Sequence, residues 1–176
     1  WAQLRQAKQP LLWLGGGAIG SEAAVKKLAD AGITVISSTH GRGVLPDSHR
    51  ASLRAFHNSP SVEALMAQCD FTLVAGSRLR SNETRSWTLE LPSPRVQIDI
   101  DPAAASRNYL MDNTLIADCP ALLAALAAKA QGREWGNGHW DAQVKEAVTL
   151  AEHGLREQCG AYARLNDAIE QALPDD

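Results

Sequence analysis

The chain has 176 residues, 45% of them hydrophobic, enough for one globular domain with a sizeable core, or one domain and a tail. A formal net charge of −3 and 17 scattered Lys and Arg residues exclude a large electrostatic footprint for nucleic acid. No apolar run approaches the ~18 residues needed to span a bilayer, and Cys69, Cys119 and Cys159 are too far apart to suggest a disulfide framework or a zinc pair. A reduced, cytoplasmic setting is the expectation. The start, Trp1-Ala2-Gln3-Leu4-Arg5, has no signal-peptide pattern and no initiating Met, as expected of a piece of something longer.

In chain order, the apolar run 11–14, bounded by Pro10 and a glycine triplet, predicts a short strand buried on both faces. A helix follows, with Ser21 as its N-cap, Ala24, Val25, Leu28 and Ala31 on one face and Gly32 at its left-handed end. Residues 33–36 form the second expected strand, 39–46 a loop, 51–56 a short third strand and 61–68 a helix. Strands are expected at 71–75, ending in Gly76, at 96–100, stopped by Asp101-Pro102, and at 114–117. Pro120 suits the first turn of an Ala- and Leu-rich helix running to about Lys129.

The compact domain is therefore expected over residues 1–130, with 131–176 a separate segment. In that segment 131–139, containing Gly132, Gly136 and Gly138, resembles a linker, and helices are predicted over 140–158 and 162–173. Strands alternating with helices at this spacing imply right-handed crossovers and an α/β fold. The expectation is a Rossmann-like, doubly wound parallel sheet of about six strands with helices on both faces. Ligands bind such sheets outside the carboxyl ends of the strands, where strand order reverses. The loops after Leu14, Ile36, Ala75, Ile100 and Ala117 are therefore the ones to inspect.

Gly15-Gly16-Gly17-Ala18-Ile19-Gly20 satisfies G-x-G-x-x-G between a strand and a helix, where backbone N–H groups can meet a phosphate. The alternative is a turn whose glycines serve only close packing. An NAD fingerprint would place Asp or Glu at the end of the second strand, but Ser37-Ser38-Thr39 stands there, which disfavours a plain NAD dehydrogenase. Arg42 in the next loop keeps an NADP 2′-phosphate as a distant alternative to a solvated arginine.

Asp99, Asp101 and Asp118 stand at strand ends, where carboxylates accept from ribose hydroxyls, although Asp101-Pro102 is equally a turn former. In Gly76-Ser77-Arg78 a small turn precedes a cation able to pair with phosphate, if it is not simply a surface arginine. His40, His49 and His57 share one stretch without metal-ligand spacing, so loop or hydrogen-bonding roles are expected and no metal site. There is no Gly-x-Ser-x-Gly, Cys-His pairing or clustered carboxylate dyad, so no catalytic residue is assigned. The five Trp residues are expected as packing anchors.

Over about residues 3–130 the order of segments resembles the central domain of the thiamine-diphosphate enzymes related to acetolactate synthase and the 2-oxo acid decarboxylases. The segments are Gln9-Pro10-Leu11-Leu12-Trp13-Leu14-Gly15-Gly16-Gly17, Gly32-Ile33-Thr34-Val35 and Gly41-Arg42-Gly43-Val44-Leu45-Pro46. Cys69-Asp70-Phe71-Thr72-Leu73-Val74-Ala75-Gly76-Ser77-Arg78, Ile98-Asp99-Ile100-Asp101-Pro102 and Ala117-Asp118-Cys119 complete the set.

The resemblance implies a cleft that holds FAD in the acetolactate synthase branch, and ADP or nothing in related branches. By similarity Gly15, Gly16 and Gly17 would line the phosphates and His57 and Arg78 would fall at flavin-contacting positions, with Ala18, Gly76 and Ser77 also cofactor-binding. Asp99 with Ile100, and Asp118 with Cys119, would match the adenosine end. After the arginine this chain has Leu79-Arg80-Ser81-Asn82 where the acetolactate synthases have Phe-Asp-Asp-Arg, which points toward a decarboxylase-like relative.

The family places its catalytic glutamate in a pyrimidine-binding domain, and its Gly-Asp-Gly…Asn motif for magnesium and thiamine diphosphate in a C-terminal domain. The resemblance thus implies those domains as partners, a homo-oligomer, and a chain that does not itself turn over a 2-oxo acid. The tail 162–176 resembles the lead-in helix to the C-terminal cofactor domain. Two other readings are a stand-alone nucleotide-binding or deacetylase-like NAD module, for which the Asn-Ile-Asp motif and zinc insertion are lacking, and a small NADP-dependent oxidoreductase.

Overall fold

Five short strands, each followed by a turn at its carboxyl end, set the geometry of this computed structural model, which describes residues 1–136 and 138–173. Asn137 of the expected linker and residues 174–176 of the expected tail lie outside the described residues. The strands are β1 (Pro10–Leu14), β2 (Thr34–Ser37), β3 (Phe71–Ala75), β4 (Arg95–Asp99) and β5 (Asn113–Ile116). They form one parallel sheet in the order β2-β1-β3-β4-β5. The chain leaves β1 to one side and returns to its other side with β3, so strand order reverses between Leu14 and Ala75, which are register partners.

Every residue of β1 and β3 is buried, because helices cover both faces of the sheet. On one face Leu12, Leu14, Leu73 and Ile98 pack with α2 (Glu22–Asp30) and α4 (Cys119–Lys129) through Val25, Leu28 and Leu123. On the other, Leu11, Trp13 and Val74 pack with α3 (Pro60–Met66) and α5 (Gly138–Cys159) through Val62, Met66, Val144 and Val148. A short α1 (Ala2–Gln6) precedes β1, and α6 (Ala161–Ala172) ends the series. This is the doubly wound α/β architecture that the alternating apolar runs predict.

Three local expectations need correction. Residues 51–56 are not a strand: beyond one parallel bridge between Val35 and Ser52, the left-handed backbone of Arg54, at φ 54°, turns the chain away before a ladder extends. The sheet has five strands, close to the expected about six.

Ser21 occupies the N-cap of α2, but its hydroxyl donates to the Ala18 carbonyl instead of accepting from the helix. The Glu22 carboxylate takes the local amide instead, accepting from Gly20 N–H at 2.9 Å. That bond, with one from its own backbone N–H, holds the Glu22 carboxyl below the usual range.

Nor do residues 131–136 and 138–139 stand clear of the sheet. Trp135 is 5% exposed and packs in the core with Leu4 and Ala130, and its N–H donates to the Ala31 carbonyl at 2.6 Å. Trp140 Nε1–H donates to Thr34 Oγ1 at 2.7 Å and so ties the start of α5 to β2. The two rings hold the segment down although its glycines give it a linker's composition. After Gly160 the chain folds back, and Arg156 holds α6 on α5 by two hydrogen bonds to Asp167, at 2.9 and 2.7 Å. Among the described residues no helix is long and apolar enough to cross a membrane.

Candidate functional site

At the point of strand reversal the turn after β1 lies directly on the turn after β3. Gly15 N–H donates to the Ala75 carbonyl at 2.8 Å and Gly17 N–H to the Gly76 carbonyl at 3.0 Å, while Gly76 N–H reaches the Ile98 carbonyl at 2.9 Å. A Cβ on Gly15 would sit 2.1 Å from the Gly76 carbonyl oxygen, closer than atoms can pack, so only glycine fits. The amides of Ala18 and Ile19 go to Gly15 and Gly16, and that of Gly20 to Glu22. Packing therefore explains most of the glycine pattern, and five of the six amides of the turn are committed within the fold.

Beside these turns lies an open cleft of about 430 Å³. Ten of the twelve residues that the family resemblance assigns to a cofactor cleft line it: Gly15, Gly16, Gly17, Gly76, Ser77, Arg78, Asp99, Ile100, Asp118 and Cys119. They come from four separate turns, so only the parallel sheet brings them together. Ala18 does not reach the cleft, because the turn Gly16–Ala18 points its methyl into the core, where it is fully buried.

His57 also stays outside the lining. It is 7% exposed and rests against Trp13, with ring centroids 5.9 Å apart. Burial lowers its pKa, against the opposing pull of Glu83 and a hydrogen bond to the Ser37 backbone.

The carboxylates have partial duties in the fold. Asp99, 8% exposed, accepts from Asp101 N–H at 3.0 Å through Oδ1. Asp118 is the N-cap of α4, where its Oδ1 accepts from Ala121 N–H at 3.0 Å. Asp101 accepts from Ala103 N–H at 2.9 Å, the turn role open to it from the Asp-Pro pair, and lies 3.6 Å from the Arg78 guanidinium. One oxygen of each thus shapes a turn and the other is left for a second donor. Burial, with Asp99 and Asp118 adding to it, pushes the Cys119 thiol up to about 11, so it stays protonated near neutral pH and is no nucleophile there.

Four more residues line the cleft without having been singled out for it: Ser38, His40, Arg80 and Glu83. Ser38 and His40 lie in the loop after β2, where the fold directs attention, and His40 stands over Gly16, its Cβ 3.3 Å from the position of an added Cβ. Arg80 falls in the segment where the chain departs from the acetolactate synthase pattern. Nothing in the sequence marks Glu83, whose burial arises only when the turn Ser81–Glu83 forms.

A larger hollow of about 800 Å³ between α5, α6 and residues 54–61 lies away from the strand ends, and surface ion pairs such as Arg54–Glu152 border it. Chemically, the cleft at the strand ends offers two arginines to an anion and several carboxylate acceptors to hydroxyl or N–H donors. Among the described residues no group of three or more His, Cys, Asp or Glu is placed to hold a metal ion.

Comparison with known proteins points to the same family. Residues 1–126 match the family model described as thiamine pyrophosphate enzyme, central domain. The chain is 32% identical over 126 residues to an acetolactate synthase of Mycobacterium avium, covering 68% of this chain and 20% of the relative. It is 29% identical over 123 residues to the acetolactate synthase isozyme 3 large subunit of Escherichia coli, covering 66% and 21%. With the acetolactate synthase large subunit of Corynebacterium glutamicum the identity is 26% over 166 residues, covering 88% of this chain and 26% of the relative. The chain thus spans about a fifth to a quarter of the length of these relatives. With the sheet, the paired glycine turns and the family match in agreement, the chain belongs to the thiamine pyrophosphate enzyme central-domain family.

Proposed function

We propose that this chain is the non-catalytic middle domain of a thiamine-diphosphate-dependent enzyme that acts on 2-oxo acids, either a decarboxylase or an acetolactate synthase-like carboligase. Its role is architectural: it holds the pyrimidine-binding and diphosphate-binding domains of the same polypeptide apart and joins them in a homo-oligomer. Those domains would hold thiamine diphosphate and magnesium. Thiamine diphosphate supplies the electron sink for cleavage beside the 2-oxo carbonyl. The setting proposed is the cytoplasm.

The cleft at the strand ends is proposed to bind an adenine nucleotide, as ADP or as the adenine half of FAD. The observation that carries this reading is the convergence of Arg78, Asp99 and Asp118 from three turns on one crevice. Arg78 and Arg80 suit phosphate, and the free carboxylate oxygens suit ribose hydroxyls. The glycine turn contributes close approach more than amide donors, since most of its N–H groups are engaged. Leu79-Arg80-Ser81-Asn82 after the arginine supports a decarboxylase-like relative over the acetolactate synthase branch.

An absorption spectrum of the purified protein, with titrations by FAD and ADP, tests the reading. A bound flavin band assigns FAD, saturable ADP binding by a colourless protein assigns ADP, and failure of both to bind removes the nucleotide role. No observation favours the alternatives of a stand-alone module or a small NADP-dependent oxidoreductase.

A further inference from the structure

Glu83 is 2% exposed, although Arg80, Asn82 and Arg85 around it are exposed. It closes the 3-10 turn Ser81–Glu83, in which its N–H donates to the Arg80 carbonyl at 3.0 Å, and its side chain turns beneath the segment. Oε1 accepts from Thr39 N–H at 3.2 Å, which links the segment after β3 to the loop after β2. The same residue forms part of the cleft wall. Its charge acts on His57, but burial disfavours the charged imidazole that would neutralise a carboxylate.

A carboxylate on a buried wall is an acceptor only. It takes hydroxyl or N–H donors and repels a phosphate at short range, where little water screens the charges. Arg78 and Arg80 have the opposite sign and stand exposed on the same short segment. The cleft is therefore divided into an acidic buried wall and a basic rim.

We infer that Glu83 is a specificity-determining residue of this cleft: it accepts from a hydroxyl or N–H of the ligand's nucleoside part and turns the phosphates outward to Arg78 and Arg80. The inference rests on the nucleotide reading proposed above. A purely structural Glu83 would only brace the loop after β2 through Thr39. Glu83→Gln separates the two roles, because the amide keeps an oxygen for Thr39 N–H and removes the charge.

The experiment is equilibrium titration of the wild-type chain and Glu83→Gln with ADP and with inorganic pyrophosphate. Wild type is expected to bind ADP at least about tenfold more tightly than pyrophosphate, and the variant to lose about tenfold toward ADP while holding pyrophosphate as well or better. An unchanged ratio of the two affinities in the variant overturns the inference while leaving the nucleotide reading intact. A wild type that binds FAD but not ADP does the same, and one that binds neither removes both. A second measurement does not depend on the variant's folding: wild type is titrated with 2′,3′-dideoxy-ADP and with N6,N6-dimethyl-ADP, which lack the sugar hydroxyl and adenine N–H donors respectively. One of the two is expected to bind about tenfold more weakly than ADP; equal affinity for all three overturns the inference.

Discussion

Gly17 and Gly76 meet backbone to backbone: Gly17 N–H donates to the Gly76 carbonyl at 3.0 Å, and a Cβ on Gly76 would lie 2.5 Å from Gly17 Cα. Gly76 also sits at φ +59°, so a side chain there meets a steric clash and a strained backbone together. Gly76→Ala is expected to destabilise the chain by about 2–5 kcal/mol, the sum of overpacking and left-handed strain. Gly154, inside α5 with nothing within 4 Å of an added Cβ, is the control. Gly154→Ala should stabilise by about 0.5–1 kcal/mol through helix propensity. Urea denaturation of the two variants checks the opposite signs; equal shifts would show that the close approach of the two turns is not what requires glycine.

The sheet was legible because β1 is apolar throughout and β3 at every position but Thr72, the mark of strands covered on both faces, and because each stops at a glycine. The cleft was largely legible for the same reason: a known sheet order fixes which loops converge, and Asp99 and Asp118 stand at strand ends. What stayed hidden depends on contacts distant in sequence. The strand expected over 51–56 fails at Arg54, whose left-handed backbone no composition marks. Residues 131–139 read as a linker from Gly132, Gly136 and Gly138, yet Trp135 is held against Ala31 and Trp140 against Thr34. Glu83 looks like one more charge in a polar stretch until a single turn buries it.

His57 makes stability depend on pH with a defined sign. Its pKa in the folded chain is depressed below the ordinary 6.5, chiefly by burial. The folded state therefore binds that proton less readily than the unfolded state. The contribution is fully present above the ordinary value of 6.5 and is lost as the pH falls from there through the lower folded value. Between pH 7.5 and 5.5 the wild type should lose more stability than His57→Gln, read as the difference in urea midpoints at each pH. Parallel midpoints across that range would show that His57 titrates alike in both states.

Thiol reactivity should separate the three cysteines. Burial pushes Cys69 up to about 12, with Asp70 adding to it, and Cys119 up to about 11. Cys159, at the end of α5, is half-buried. At pH 8 an aromatic disulfide reagent is expected to modify one thiol per folded chain, at Cys159, and the other two only in denaturant. Mass mapping of the labelled peptide decides it; rapid labelling of Cys119 would mean that the cleft exposes a thiolate.

Trp140 tests whether the residues after α4 are part of the folded unit or an appendage. The indole is 5% exposed, packs in the same core as Trp13, Val62 and Met66, and bonds Thr34 Oγ1 at 2.7 Å. Thr34 is itself buried in β2, the edge strand of the sheet, which residues 51–54 meet through a single bridge and no extended ladder. Helix α5 shares with α3 the cover of this face of the sheet, and a chain cut after residue 130 is expected to expose part of Trp13, Ile36 and Leu53. Trp140→Ala is expected to cost about 3–5 kcal/mol, the range for emptying a large aromatic site. Trp140→Phe should recover much of that but leave Thr34 Oγ1 without its indole donor, a residual cost of about 1 kcal/mol. If both substitutions and the truncation at 130 unfold at the wild-type urea midpoint, the domain ends at α4 and the helices beyond it are accessory.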